Sequence, residues 1–150
     1  MKKYTTMTVA EISRPHHVLE NEGFKLPLFA SHPAAGFPAP GDDQVENILD
    51  INDLVVKNPA STFFVRVSGD SMTGAGIFNG DVLVIDRSKD AHDGLIVVAA
   101  VNGELVVKRL SIEAGVHSLV SENDEYEPIV VGEDEECFIW GVVVGSVRVF

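Results

Sequence analysis

A serine and a lysine raise the first chemical question. The stretch VSGDSMTGAG (67–76) follows the Phe-rich run TFFVRV (62–67), so Ser71 stands where a strand runs into a glycine-flanked turn. Such a turn lets backbone N–H groups point outward, as an oxyanion hole beside a serine nucleophile requires. The same residue types also build ordinary turns, and alone the loop reads more readily as one of those. A serine hydroxyl needs a base. None of the five histidines, His16, His17, His32, His92 and His117, shows a telling spacing to an acid or to Ser71. A G-x-S-x-G elbow fails as well, because Thr73 stands where its second glycine belongs.

Lys108 is the better base. In ELVVKRL (104–110), Lys108 shares a strand face with Val106 and Leu110, and Arg109 shares the other with Leu105 and Val107. Both faces are apolar, so the pattern does not decide which cation points inward. Chemistry favours lysine, since arginine does not give up its proton in proteins. Burial disfavours the ammonium form and moves a lysine pKa from about 10.4 toward roughly 7–8, the range a general base needs. The plainer alternative is an edge-strand lysine that snorkels to water.

The elements that must position this pair are strands. TFFVRV, DVLVID (81–86), LIVVAAV (95–101), ELVVKRL, HSLV (117–120), PIVV (128–131) and CFIWGVVVGSVRVF (137–150) are rich in β-branched and aromatic residues and separated by turn formers. Val101-Asn102-Gly103-Glu104 predicts a two-residue type I′ hairpin. The last run exceeds an ordinary strand, and Gly141 or Gly145 marks a bend or bulge. A short helical turn is expected around Leu54–Lys57, stopped before Pro59. The acidic clusters SENDEYE and GEDEE read as solvated hairpin loops without the glycine spacing of a calcium loop. No metal site and no cofactor is expected. The first 40 residues lack sustained periodicity and read as an arm.

The chain has 150 residues, 45% of them hydrophobic, enough for one domain with a core and an extension. Its net charge is −12. Residues 1–35 hold four cations against three carboxylates, so the remainder, with seven cations against twenty carboxylates, carries a net charge of −13. That surface repels phosphate backbones and argues against tight direct DNA binding, though not against a partner that binds DNA. Cys137 is the only cysteine, which suits a reducing compartment. The longest apolar run, Leu95–Val101, is too short to span a bilayer, and no signal peptide follows Met1-Lys2-Lys3. A cytoplasmic protein without membrane association is expected.

Together, SGDSM, GIFNGDVLVID and GELVVKRL, with LPLFASHPAAGFPAP, NPASTFFVRVSGDSM and the GVVVGSVRV ending, resemble the LexA/UmuD family of self-cleaving Ser-Lys proteases. The resemblance covers about residues 28–148. GDSM also resembles the GDSL-type esterases, but neither His92 nor His117 has the Asp three residues earlier that they use. The LexA/UmuD likeness implies a mostly β fold, a core of antiparallel strands similar to that of signal peptidases, with a flexible N-terminal arm. It implies Ser71 as nucleophile, Lys108 as base, and main-chain N–H groups of Asp70 and Ser71 as oxyanion donors. It places the self-cleaved bond between Ala35 and Gly36, with residues 1–37 as arm and 38–150 as peptidase and dimerisation domain.

Only about 35 residues precede that bond, too few for the DNA-binding domain of a LexA-type repressor, so the likeness is closest to UmuD. Its arm MKKYTTMTVAEISRPHHVLENEG departs from the family pattern and is longer. The expected partners are then a second copy of the chain, a RecA filament on single-stranded DNA that stimulates cleavage during the SOS response, a UmuC-like error-prone translesion polymerase, and a sliding clamp. Rival expectations are a non-catalytic polymerase or clamp interaction module and a truncated prophage-type repressor protease. HPAAGFPAP (32–40) is an extended, small-residue peptide suited to strand addition beside Ser71. A tethered substrate would be cut at once unless its productive pose were rare. At a population of about 1%, restraint amounts to roughly 2.7 kcal/mol.

Overall fold

The computed structural model describes residues 6–13, 26–29, 45–132 and 136–150. Two compact units emerge, one drawn from His17–Lys57 and the other from Met1–His16 with Asn58–Phe150. In the smaller unit, β2 (Leu26–Phe29) pairs antiparallel with β3 (Val45–Leu49), Leu26 opposite Leu49. A one-turn helix α1 (Ile51–Val55) follows, capped where Asp50 accepts from the N–H of Asn52 at 2.8 Å. It begins earlier than the sequence suggests because that cap fixes its start.

The larger unit contains β1 (Thr8–Ser13), β4 (Thr62–Ser68), β5 (Val82–Asp86), β6 (Ile96–Val101), β7 (Glu104–Glu113), β8 (Val116–Val120), β9 (Ile129–Val130) and β10 (Cys137–Val147). All pairings are antiparallel, in the order β1-β4-β5-β10-β6-β7-β8-β9. A further pairing of β1 with β7, Thr8 opposite Val106, curls the sheet into a barrel. The expected mostly β fold is correct.

Sequence and structure meet closely at the turns. Asn102 and Gly103 both have positive φ, 49° and 82°, as a type I′ hairpin demands. The ladder of β10 slips between Ile139 and Gly141 and again between Val143 and Gly145, so both glycines mark bulges. At Gly141 a Cβ would lie 2.4 Å from Ile85 Cγ2, which leaves no room for a side chain.

Two apolar clusters sandwich the central strands. Met7, Val65, Val67, Met72, Ile77, Leu83, Ile85, Val98 and Val107 form one; Val97, Ala99, Val106, Leu110, Leu119 and Val142 form the other. β6 and β7 feed both, which is why their sequences run apolar without alternation. Among the described residues no helix is long and apolar enough to cross a membrane.

The expected arm contains a strand that the sequence does not disclose. β1 lies against β4, but its register slips between Val9 and Glu11. That bulge breaks the two-residue alternation by which a strand is recognised.

Candidate active site

Ser71 follows β4 by three residues. Gly69, at φ 107°, turns the chain out of the strand, and its N–H donates to Asn79 Oδ1 at 3.0 Å. Met72 is fully buried and pins the next residue into the core. A 3-10 turn over Thr73–Ala75 then ends at Gly76 in the left-handed region. Gly74 is required by close approach: its N–H donates to the Glu122 carbonyl at 2.8 Å, and a Cβ there would meet that oxygen at 2.6 Å. The serine turn is thereby laid against the segment that follows β8.

Lys108 sits in mid-β7, opposite Val97, and is 2% exposed. Arg109 faces outward to Glu122 and donates to the Gly94 carbonyl at 2.6 Å. The structure thus settles the orientation that the strand pattern leaves open. Burial pushes the Lys108 ammonium down from the ordinary lysine range. Among the described residues no carboxylate pairs with it to restore its charge. Its Nζ donates to Ser121 Oγ at 2.5 Å and lies 5.3 Å from the centre of the Tyr126 ring. A buried lysine whose polar contact is a hydroxyl is set up to be neutral.

Two short chains of contacts tie serine and lysine to one locality. Tyr126 donates to Asp70 Oδ1 at 2.6 Å, and Asn123 Nδ2 donates to the Asp70 carbonyl at 3.1 Å. Hence the ring beside Lys108 also holds the residue preceding Ser71. On the other side, the Met7 N–H donates to Ser71 Oγ at 2.9 Å, and the Met7 carbonyl accepts from Val107, the neighbour of Lys108, at 3.1 Å. Ser71 itself is fully buried.

The SENDEYE segment corrects an expectation. It is not simply a solvated loop: Ser121 is 8% exposed, and Asn123 and Tyr126 are half-buried against the serine turn. Its acidic letters conceal Ser121, Asn123 and Tyr126, whose polar atoms serve the site. The one available hint was a serine and a tyrosine inside a run that otherwise needs only charge. Met7 gave no such hint. Ala35 and Gly36 lie outside the described residues, as do residues 133–135 of GEDEE.

The Peptidase S24-like family matches residues 27–144. Protein ImpA of Salmonella typhimurium is 40% identical over 131 residues, covering 87% of this chain and 88% of the relative. Protein SamA of Salmonella typhimurium strain LT2 is 40% identical over 122 residues, covering 81% and 84%. Protein MucA of Escherichia coli is 38% identical over 122 residues, covering 81% and 83%. Likeness on this scale, over a barrel that carries a buried lysine and a turn-borne serine, settles the family. The chain belongs to the Peptidase S24-like family of serine proteases, as a UmuD-like member of its LexA/UmuD group.

Proposed function

We propose that the protein is a serine endopeptidase that cuts its own chain between Ala35 and Gly36, with Ser71 as nucleophile and Lys108 as general base. The observation that carries this reading is Lys108: a lysine 2% exposed, bonded to a hydroxyl rather than a carboxylate, tied through Tyr126 to the serine turn. Neutral Lys108 takes the Ser71 proton as Oγ attacks the Ala35 carbonyl carbon. N–H groups of Asp70 and Ser71 stabilise the oxyanion, in a turn stiffened by Tyr126 and Asn123. The Lys108 ammonium then returns the proton to the Gly36 amine as the C–N bond breaks. Water, deprotonated by the same amine, releases residues 1–35 from the acyl-enzyme.

Membership among UmuD-like proteins of SOS mutagenesis supports the wider setting. In it, a homodimer cleaves itself when a RecA–single-stranded DNA filament stimulates it, and residues 36–150 serve a UmuC-like translesion polymerase, with the sliding clamp as a further contact. The test is incubation of the purified chain from neutral pH to about pH 10, with and without the activated filament. Mass spectrometry should find one break after Ala35, faster as pH rises because the neutral fraction of Lys108 grows. Ser71→Ala and Lys108→Ala should remain folded and uncut. An unbroken wild-type chain under every condition would leave only an interaction module.

A further inference from the structure

Ser71 is fully buried, and its Oγ is already occupied by the Met7 amide. Met7 is also the one fully buried described residue of the N-terminal segment; Ala10, Glu11 and Ile12 are exposed. From Thr8 onward the segment forms β1, inserted between the two strands that lead to the site. It meets β4 along Thr8↔Ser68 through Ser13↔Phe64, and β7 at Thr8↔Val106. Extended backbone laid between β4 and β7 is how a peptide substrate would be presented to Ser71 by strand addition.

The bound pose is nevertheless unproductive. A donor N–H places its acceptor close to the plane of the peptide, whereas attack on a carbonyl comes from above that plane. A linear hydrogen bond of the observed 2.9 Å would put Ser71 Oγ roughly 3.7 Å from the Thr6 carbonyl carbon, in the peptide plane. Near-attack contacts are about 3–3.5 Å and out of plane. The hydrogen bond also engages the nucleophile's lone pair.

We propose that residues 7–13 are a built-in competitor: β1 occupies the groove through which the cleavage segment must reach Ser71, and cutting requires β1 to leave. This rests on the reading of Ser71 as nucleophile, and it identifies the restraint that a tethered substrate demands. A six-residue strand anchored by one buried side chain, and joined to β7 only at Thr8↔Val106, can open locally while the other strands stay paired. Cleavage after Ala35 also severs β1 from the domain it covers, so a single cut makes the opening permanent once the fragment departs.

The test locks β1 in the full-length chain. Thr8 and Ser68 are register partners with side-chain oxygens 3.3 Å apart, a placement suited to a disulfide. Thr8→Cys and Ser68→Cys in a Cys137→Ser background are oxidised, and spontaneous cleavage at alkaline pH is followed before and after reduction. The oxidised form should be cut at least tenfold more slowly, with the rate restored by reductant. Met7→Ala, which removes the anchor and keeps the amide, should speed cleavage about tenfold. Equal rates in oxidised and reduced forms would overturn the proposal while leaving the protease reading intact, and so would a cut between Thr6 and Met7, which would make β1 a substrate.

Should no form be cut at all, the protease reading fails and hydrogen exchange decides the rest. Amides of Met7–Ile12 must exchange far faster than those of β5 in the reduced protein and slow on oxidation. Protection equal to that of β5 before oxidation would show that β1 opens only with the whole barrel, and would overturn the competitor.

Discussion

Lys108 and Asp86 are both 2% exposed, yet burial drives them toward opposite charge states. Around Asp86, desolvation raises the carboxyl pKa. Ser88 outweighs it through its hydroxyl and its N–H, together with Asn58 Nδ2 and Ser61 Oγ, and the group is held well below the usual carboxylate range. Around Lys108, desolvation meets no carboxylate among the described residues, and the amine is pushed toward neutrality. Depth does not separate the two; the supply of compensating partners does. One site is built to keep a charge for structure, the other to lose one for chemistry.

Lys108→Met breaks this comparison most severely. Loss of the base should lower self-cleavage by about a thousandfold, within the range typical of general-base removal. Stability should move the other way. A lysine with a depressed folded pKa binds fewer protons folded than unfolded, so its contribution to stability rises with pH up to the unfolded value near 10.4. At neutral pH the variant should therefore resist urea better than wild type, and the gap should narrow toward pH 10. A variant that is less stable at neutral pH would show that the ammonium is well compensated and Lys108 is no base.

Asp86→Ala should have the next largest effect, on stability alone. It strands the donors of Asn58, Ser61 and Ser88, and a hydrogen bond to a charged group is worth roughly 1.5–3 kcal/mol net, a figure that does not add fully for donors sharing one carboxylate. A loss of about 2–4 kcal/mol is expected as a lower urea midpoint at unchanged m-value. Because the folded pKa is depressed, this stabilisation is complete above about pH 4 and fades on acidification. Wild type and variant should converge there.

These effects differ in how visible they were in the sequence. Strands β4 to β10 could be read from β-branched runs, and the Asn102-Gly103 turn and both bulges of β10 from glycine chemistry. Ser71 and Lys108 could be nominated because each residue type has few chemical uses at a strand end or on an apolar face. The burial of Lys108 could not, since Leu105 to Leu110 is apolar on both faces and the choice is made by β6 and β8 on either side. Ser121 was hidden inside an acidic run, and β1 behind a bulge. Both belong to long-range contacts: Ser121 is thirteen residues from Lys108, and Met7 is sixty-four from Ser71. No local pattern encodes such pairings.

Ser121→Ala sharpens the comparison at the catalytic end. Removing the hydroxyl takes away the hydrogen bond that offsets desolvation of the amine, so the midpoint of the pH–rate profile should fall. The plateau should drop about tenfold, because a lysine free to rotate spends less time aimed at its proton. Ser121→Thr should recover both. A purely structural serine would lower stability while leaving the midpoint where it was.

Arg148→Gln should give the smallest change, because it perturbs a carboxylate with a second support. Arg148 holds Asp81 below the ordinary carboxylate range, against desolvation that raises it, while the Phe78 N–H donates to the same group at 2.8 Å. The arginine side chain is 37% exposed, so solvent screens much of the pairing. Its removal should lower the urea midpoint less than Asp86→Ala does, and raised salt should shrink the difference further. Asp81 then titrates nearer its unfolded value, so the acid loss of stability becomes shallower and the two curves merge below about pH 4. A drop as large as that of Asp86→Ala would mean that Asp81 depends on one cation, and that the Phe78 N–H alone does not hold it as the several donors around Asp86 hold that carboxylate.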